Sequence, residues 1–329
     1  MSLSNELIEK ASKLEKTIAL PESTEPRILS ALNIMLEKTN LKFVLFGNEA
    51  EIKEKVEHFD ESRITIKNVE QCRQESKYID ALVERRKNKG MTAELAVEAL
   101  KSPMTLAAIM EELGEIDGIV CGVITHTADV LRAVFQIIKT KPNVSVASSC
   151  VIFDIDKSHQ YGKNGPIIFA DCSVIPHPTS ENLKDIAIAS VETHKKLIGG
   201  EANVAFLSFS SKSGDNEKDE SIVKVKEAAR LTKLACPELN VDGELQLDCA
   251  LDAGVAKIKA PNSPVAGKAN ILIFPDLDSA NIGYKLVSRF AGIPAIGVIL
   301  QGVNKPVNDL SRGAEIDEIC SMIAITALS

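Results

Sequence analysis

The chain has 329 residues, 45% hydrophobic and 26% charged, with 18 Gly and 13 Pro; this mix excludes global disorder and a fibrous architecture and, at roughly 150 residues per domain, predicts about two domains. Lys and Arg number 38 against 46 Asp and Glu, a net charge of −8 that argues against a nucleic-acid or membrane-surface partner, so any anionic ligand has to be gripped locally. Aromatic residues make up only 4% and Trp is absent, which removes the stacking platforms used on single strands.

Taken in chain order, residues 3–16 read as an amphipathic helix, and Thr17–Leu20 before Pro21 as a short buried strand. A helix is expected from Pro26, a strand over 41–48, a charged helix to about 57, a strand over 63–69, and helical pattern through 78–88, 92–100 and 103–114. The apolar run DGIVCGV (117–123) has the character of a strand buried on both faces of a parallel sheet. The second half repeats the alternation, with strands at 166–174, 203–209, 269–277 and 294–300, helices at 179–197, 217–235 and 278–291, and a final helix from about 314. The pattern predicts an α/β protein with mostly parallel sheets, joined near KTKPNVSVASS (139–149). The polar loop SSKSGDNEKD (210–219) joins a strand to a helix and is either a ligand loop or a solvated one.

Seven Cys, at 72, 121, 150, 172, 236, 249 and 320, show no C-x-x-C spacing; most lie in apolar runs and read as small buried hydrophobes. The five His, at 58, 126, 159, 177 and 194, show no metal-ligand spacing, so no metal is expected. His126 alone stands at a strand exit, where a capping or turn role is expected. The N-terminal segment lacks the apolar core of a signal peptide, and no stretch approaches about eighteen uninterrupted apolar residues, so a cytoplasmic, soluble protein is expected. Phosphate-loop, dinucleotide, H-E-x-x-H and G-x-S-x-G signatures are all missing.

What remains are Arg residues beside Gly, Ser and Thr at element ends. In THTADVLRAVFQIIKTKP (125–142), Thr125 or Thr127 is expected to cap a helix carrying Arg132 in its first two turns. In PVNDLSRGAEIDEICSMIAIT (306–326), Pro306 and Asp309 suggest a turn, and Ser311-Arg312-Gly313 leads into a helix with acidic residues in its first turn. ERRKNKGMT (84–92) is a third basic cluster. Guanidinium groups beside hydroxyls and backbone amides suit phosphate or carboxylate, and composition and spacing stop at an α/β protein that binds a small anion.

Those segments carry a resemblance. LPESTEPRIL (20–29), RRKNKGMT (85–92), DGIVCGVITHTADVLRAVFQIIKTKP (117–142), FADCSVIPHPT (169–179), LSFSSKSG (207–214), VDGELQLDCAL (241–251), KAPNSPVAGKANILIFPDLDSANIGYKLV (259–287) and ILQGVNKPVNDLSRG (299–313) together resemble the phosphate acetyltransferase (phosphotransacetylase) family over nearly the full length. The resemblance implies two α/β domains of the isocitrate/isopropylmalate dehydrogenase kind, 1–147 with 302–329 and 148–301, with an active-site cleft between them. It implies reversible acetyl transfer between acetyl phosphate and coenzyme A in a homodimer, with coenzyme A as substrate and no cofactor. Ser311 matches the family's transition-state serine, and Arg312, Arg132 and Arg86 match substrate-binding arginines, although Arg85-Arg86 is doubled where the family has a single Arg. The family's catalytic aspartate falls at Glu318, with Asp317 directly before it; Glu318 is the candidate base and Asp317 its alternative, about 100° around the helix. A propionyl or butyryl transferase, and a silent ligand-binding domain of the same fold, are the alternatives.

Overall fold

The computed structural model describes residues 2–57, 59–142, 144–156, 158–162, 165–212 and 218–329. The chain divides into two compact units, Met1–Pro142 with Val303–Ser329, and Asn143–Gly302. The first unit runs α1 (Leu3–Ala11), β1 (Thr17–Leu20), α2 (Pro26–Lys38), β2 (Lys42–Phe46), α3 (Glu49–Lys55), β3 (Ile64–Lys67), α4 (Val69–Cys72), α5 (Ser76–Arg86), α6 (Ala93–Ala99), α7 (Pro103–Glu112), β4 (Gly118–Cys121) and α8 (Thr127–Ala133). A π-helical turn over Val134–Ile138 prolongs α8. The second unit holds β5 (Ser148–Phe153), β6 (Ile167–Ala170), α9 (Ser180–Leu197), β7 (Asn203–Leu207), α10 (Glu220–Ala235), β8 (Asn240–Leu245), α11 (Leu247–Leu251), α12 (Ala253–Lys259), β9 (Ile271–Ile273), α13 (Leu277–Ala291) and β10 (Ala295–Gln301). The chain then returns to the first unit as β11 (Val307–Asp309) and α14 (Ile316–Leu328).

The first unit's sheet has the order β11-β4-β1-β2-β3 with every pair parallel. Its inner strands β4, β1 and β2 are short, mostly apolar runs because helices cover both faces, as the fully buried GIVC of β4 illustrates. The helix α14 is buried from Ile319 to Ala327 and packs on α1, α2, β1 and β4. Gly118 at the start of β4 permits that approach, since a Cβ there would collide with the Thr326 methyl. Strand order turns back between β1 and β4: β2 and β3 lie to one side, β4 and β11 to the other. Ligands of open α/β sheets bind at such a switch point, beyond the carboxyl ends of the strands.

The second unit's sheet has the order β10-β5-β6-β9-β7-β8. Only β5 runs against its neighbours; β6, β9, β7 and β8 are parallel. Phe169 anchors the core beneath this sheet, with Phe153 and Phe274 at ring-centroid distances of 4.9 and 5.0 Å.

Three strands depart from the expectations. β5 and β8 were not anticipated, and the antiparallel β5 makes this sheet mixed. Residues 307–309, expected as a turn, form β11 beside β4, with Val307, Asn308 and Asp309 opposite Ile119, Val120 and Cys121. Asn308 is tolerated in this buried strand because its Nδ2 donates to Thr326 Oγ1 at 2.8 Å, and Pro306 sits at an edge where its carbonyl accepts from Ile119 N.

Candidate active site

The carboxyl ends of β1, β4 and β11 lie side by side, and what leaves them builds the site. After β1 comes Pro21-Glu22-Ser23. Glu22 is only 5% exposed, and its carboxylate turns across the switch point to the loop leaving β4. Oε2 accepts from the backbone N–H groups of Gly122 and Val123 at 3.0 and 2.9 Å, and Oε1 from those of Ile124 and Thr125 at 2.9 and 2.6 Å. Four successive amides thus converge on one carboxylate, which balances the charge that burial would otherwise disfavour. Gly122 has φ +113, and a Cβ there would run into Asp309 and the Leu310 backbone, so the exits of β4 and β11 meet only across a glycine.

Asp309 ends β11 at 4% exposure, with Oδ1 unpartnered among the described residues. Burial pushes its carboxyl up to about 6; a hydrogen bond with the Thr127 side chain opposes this and the nearby Glu22 adds to it. Ser311-Arg312-Gly313 follows as an exposed turn. Arg27, in the first turn of α2, fastens it: Nη1 donates to the carbonyls of Arg312 and Ala314 at 2.8 and 3.1 Å, while Nε is held by Glu25 at 2.7 Å. Within the turn, Ser311 Oγ accepts from Gly313 N–H at 3.3 Å, which leaves the hydroxyl proton to be donated outward. The turn precedes the helix by several residues, because α14 starts only at Ile316.

The Arg312 guanidinium meets His126 Nδ1 at 2.5 Å, which joins the β11 exit to the head of α8. His126 occupies the N-cap position of α8 without a side-chain capping bond. The expected cap by Thr125 or Thr127 is therefore corrected: Thr125 gives its amide to Glu22, and the Thr127 side chain is taken by Asp309. Arg132 is exposed on α8 and pairs with Asp129 one turn back. The doubled arginine at the end of α5 divides its labour. Arg85 is tied to the carbonyls of Ile137 and Ile138 at 2.6 and 3.3 Å and to Glu112 at 3.0 Å, while Arg86 pairs with no carboxylate among the described residues.

On α14, Asp317 is exposed and Glu318 half-buried. Burial pushes the Glu318 carboxyl up to about 7, against a hydrogen bond from the Glu315 backbone and with Glu315's charge reinforcing the rise. A carboxyl poised near neutrality is suited to take and return a proton. The structure joins Arg312 to His126 and Arg27 to the Ser311 turn; among the described residues no hydrogen bond links Ser311, Arg132, Arg86 and Glu318 to one another. Glu22 and Arg27 carry no assignment from the sequence, and Asp309 only that of a turn residue. The only signal for the first two was their place just past a buried strand, in LPESTEPRIL.

Elsewhere the chemistry is sparse. Among the described residues no group of three or more His, Cys, Asp or Glu is placed to hold a metal ion, and no helix is long and apolar enough to cross a membrane. The seven Cys are free, and all but Cys236 are buried. Of the polar loop 210–219, residues 213–217 lie outside the described residues, as does His58. Lys212 at the loop's edge is spent on Asp242 and the Gly243 carbonyl, and with Lys259 it borders a cavity of about 430 Å³.

A sheet switch point whose exits carry the Arg312 guanidinium, the Ser311 hydroxyl and, on α14, a carboxyl pushed up to about 7 is suited to group transfer on an anionic substrate. The chain belongs to the phosphate acetyl/butaryl transferase family, whose model it matches over residues 2–327, and is an acyltransferase. It is 46% identical over 328 residues to a phosphate acetyltransferase of Thermoanaerobacterium thermosaccharolyticum, an alignment spanning 100% of this chain and 99% of that protein. The crystal structure of a phosphotransacetylase from Streptococcus pyogenes matches with a TM-score of 0.91 at 36% identity, covering 99% of this chain and 97% of that one. The EutD phosphotransacetylase of Staphylococcus aureus matches with a TM-score of 0.87 at 35% identity and the same coverage.

Proposed function

We propose that the chain is a phosphate acetyltransferase that moves an acetyl group reversibly between acetyl phosphate and coenzyme A, with Ser311, Arg312, Arg132, Arg86 and Glu318 as its working residues. The observation that carries the reading is the segment leaving β11, which presents a hydroxyl, a guanidinium and, on α14, a carboxyl pushed up to about 7. In the forward direction the thiol proton passes to the Glu318 carboxylate as sulfur attacks the acetyl carbonyl and the C–S bond forms. The developing oxyanion accepts the Ser311 hydroxyl proton as a hydrogen bond. The bond between the acetyl carbon and the bridging oxygen then breaks, and phosphate leaves with the electron pair between Arg312 and Arg132, taking up the proton from Glu318 so that the base is regenerated. Arg86, which pairs with no carboxylate among the described residues, is assigned to coenzyme A or phosphate. In reverse, a phosphate oxygen attacks the thioester and Glu318 returns the proton to sulfur. Each step uses coenzyme A as substrate, and none requires a bound cofactor. Asp317 is exposed and has no such environment, which favours Glu318 as the base.

We assign 1–147 with 302–329 to one domain and 148–301 to the other, in keeping with the two compact units. We further propose a cytoplasmic homodimer. Free, mostly buried Cys and an acidic balance suit a reducing cytoplasm. The exposed stripe Ile282, Leu286 and Phe290 along α13, at 59%, 49% and 87% exposure, suits burial against a second copy.

The test is acetyl-CoA formation from acetyl phosphate and coenzyme A, followed at the thioester absorbance beside propionyl and butyryl phosphate, with Ser311→Ala as control. Acetyl transfer that falls about 10²–10³-fold in kcat in the variant is the expected result. Absence of turnover with every acyl phosphate, in a folded protein that binds coenzyme A, would overturn the reading.

A further inference from the structure

The loop leaving β4 turns four consecutive N–H groups inward, a concavity that in many α/β proteins receives a phosphate. Here it is already filled. Glu22 supplies both carboxylate oxygens from the β1 side, each accepting two amides at 2.6–3.0 Å, and lies buried beneath the loop. A second anion has no unpaired amide of Gly122–Thr125 to meet.

A carboxylate in an amide cradle can be merely a loop brace. Asp171, after β6, accepts from the amides of Ser173, Val174 and Ile175 in that sense. Glu22 differs in what its loop leads to. The next residue after the cradle is His126, which holds Arg312 at 2.5 Å; Thr127 follows, bonded to Asp309; and five residues further along α8 is Arg132. Fixing Gly122–Thr125 therefore fixes the start of α8 and with it two of the guanidinium groups assigned to the phosphoryl end.

We propose that Glu22 is a positioning residue: it occupies the amide cradle as a built-in anion, so that phosphate is held by Arg132 and Arg312 rather than by backbone, and its loss misplaces both. The inference rests on the acetyl-transfer reading for its kinetic arm only. In Glu22→Ala the four amides lose their acceptor while β1 and its exit keep their course, leaving a space in which formate can restore the lost carboxylate. Glu22→Gln keeps one acceptor oxygen but turns an NH2 toward two donors, so it suffers an intermediate loss.

The experiment measures KM for acetyl phosphate and for coenzyme A separately in wild type, Glu22→Ala and Glu22→Gln, with and without added formate, together with amide hydrogen exchange over residues 122–125. Expected are a KM for acetyl phosphate raised about tenfold or more in Glu22→Ala, as misplacement of substrate-holding groups produces, a smaller rise in Glu22→Gln, and a KM for coenzyme A moved less than about threefold. Formate should bring back both the KM and the slowed exchange in the Ala variant and do nothing to wild type. Unchanged KM values in a folded variant, or a uniform fall in kcat that formate does not relieve, would overturn the proposal. If Glu22→Ala does not fold, Glu22→Gln carries the test through its KM split. If wild type transfers no acetyl group, the functional reading fails on its own, and formate-restored exchange protection still decides whether Glu22 fills the cradle.

Discussion

Replacing Glu318 by glutamine removes the proposed proton acceptor, whose environment would set the pH at which it works. With its carboxyl at about 7, the base is about one-eleventh ionised at pH 6 and about ten-elevenths ionised at pH 8, so wild-type kcat/KM should climb about tenfold across that interval and then level. As pH falls through about 7 the group protonates and the base is lost, which makes this an acid limb. In Glu318→Gln the limb should disappear. The residual rate should follow the thiol itself, still rising toward about 8.5, the ordinary value for a thiol. Removing a positioned base lowers turnover by about 10²–10⁴-fold, or roughly 3–5 kcal/mol in the barrier. Initial rates of thioester formation from pH 5.5 to 9, for wild type, Glu318→Gln and Asp317→Asn, separate these contributions. A Glu318→Gln variant that keeps more than about a tenth of wild-type turnover with its limb still near 7 would refute the reasoning, as would an equal loss in Asp317→Asn.

Two further substitutions test the surroundings. Glu111 is fully buried on α7 with both carboxyl oxygens unpartnered among the described residues, and burial holds it at about 8, against Lys305 and aided by Glu112 and Asp117. Because the folded value lies above the unfolded one, the folded state keeps a proton that the unfolded state releases, and stability falls as pH rises from about 4.5 to about 8. Glu111→Gln should accordingly stabilise the protein increasingly over that window, with about 5 kcal/mol as the ceiling above pH 8; urea unfolding at pH 6 and 8.5 checks it, and an equal gain at both would contradict it. Arg86→Gln should leave the thermal midpoint unchanged while raising KM for coenzyme A or acetyl phosphate about tenfold. Arg85→Gln should instead cost about 1–3 kcal/mol of stability, since it strands the Ile137 and Ile138 carbonyls and Glu112. Reversed roles would place the functional arginine one residue earlier.

Much of the architecture was legible because it depends on local pattern. TIAL, KFVLF and GIVC are apolar over lengths too short for helices, and Pro26, Thr92, Ser102 and Thr179 announce the helices they begin. Residues 307–309 were illegible for the opposite reason. Val-Asn-Asp after Pro looks like a turn until Thr326 satisfies Asn308 and β4 supplies the pairing, and both partners are remote in sequence or defined only by the fold. The candidate site divides in the same way. Ser311 and Arg312 stand out by residue type and by resemblance, whereas nothing in the sequence singles out Glu22. Its role depends on four amides about a hundred residues away, and backbone donors leave no trace in side-chain identity. Which of Arg85 and Arg86 is tied down had no signal in one dimension; in the fold it is Arg85 that holds α7 and the π-helical turn.

The return of 303–329 to the first unit also governs the order of biosynthesis. On the ribosome, residues 1–142 emerge with four of their five strands but without β11 or α14, the helix whose buried face covers β1 and β4. All of 143–302 is made before the missing pieces arrive, so the second unit can fold cotranslationally while the first waits with apolar surface uncovered. The segment that closes this gap also brings Ser311, Arg312 and Glu318. A nascent chain therefore acquires its sealed core and its proposed chemistry together, and a message cut short before codon 303 would yield a first unit lacking both.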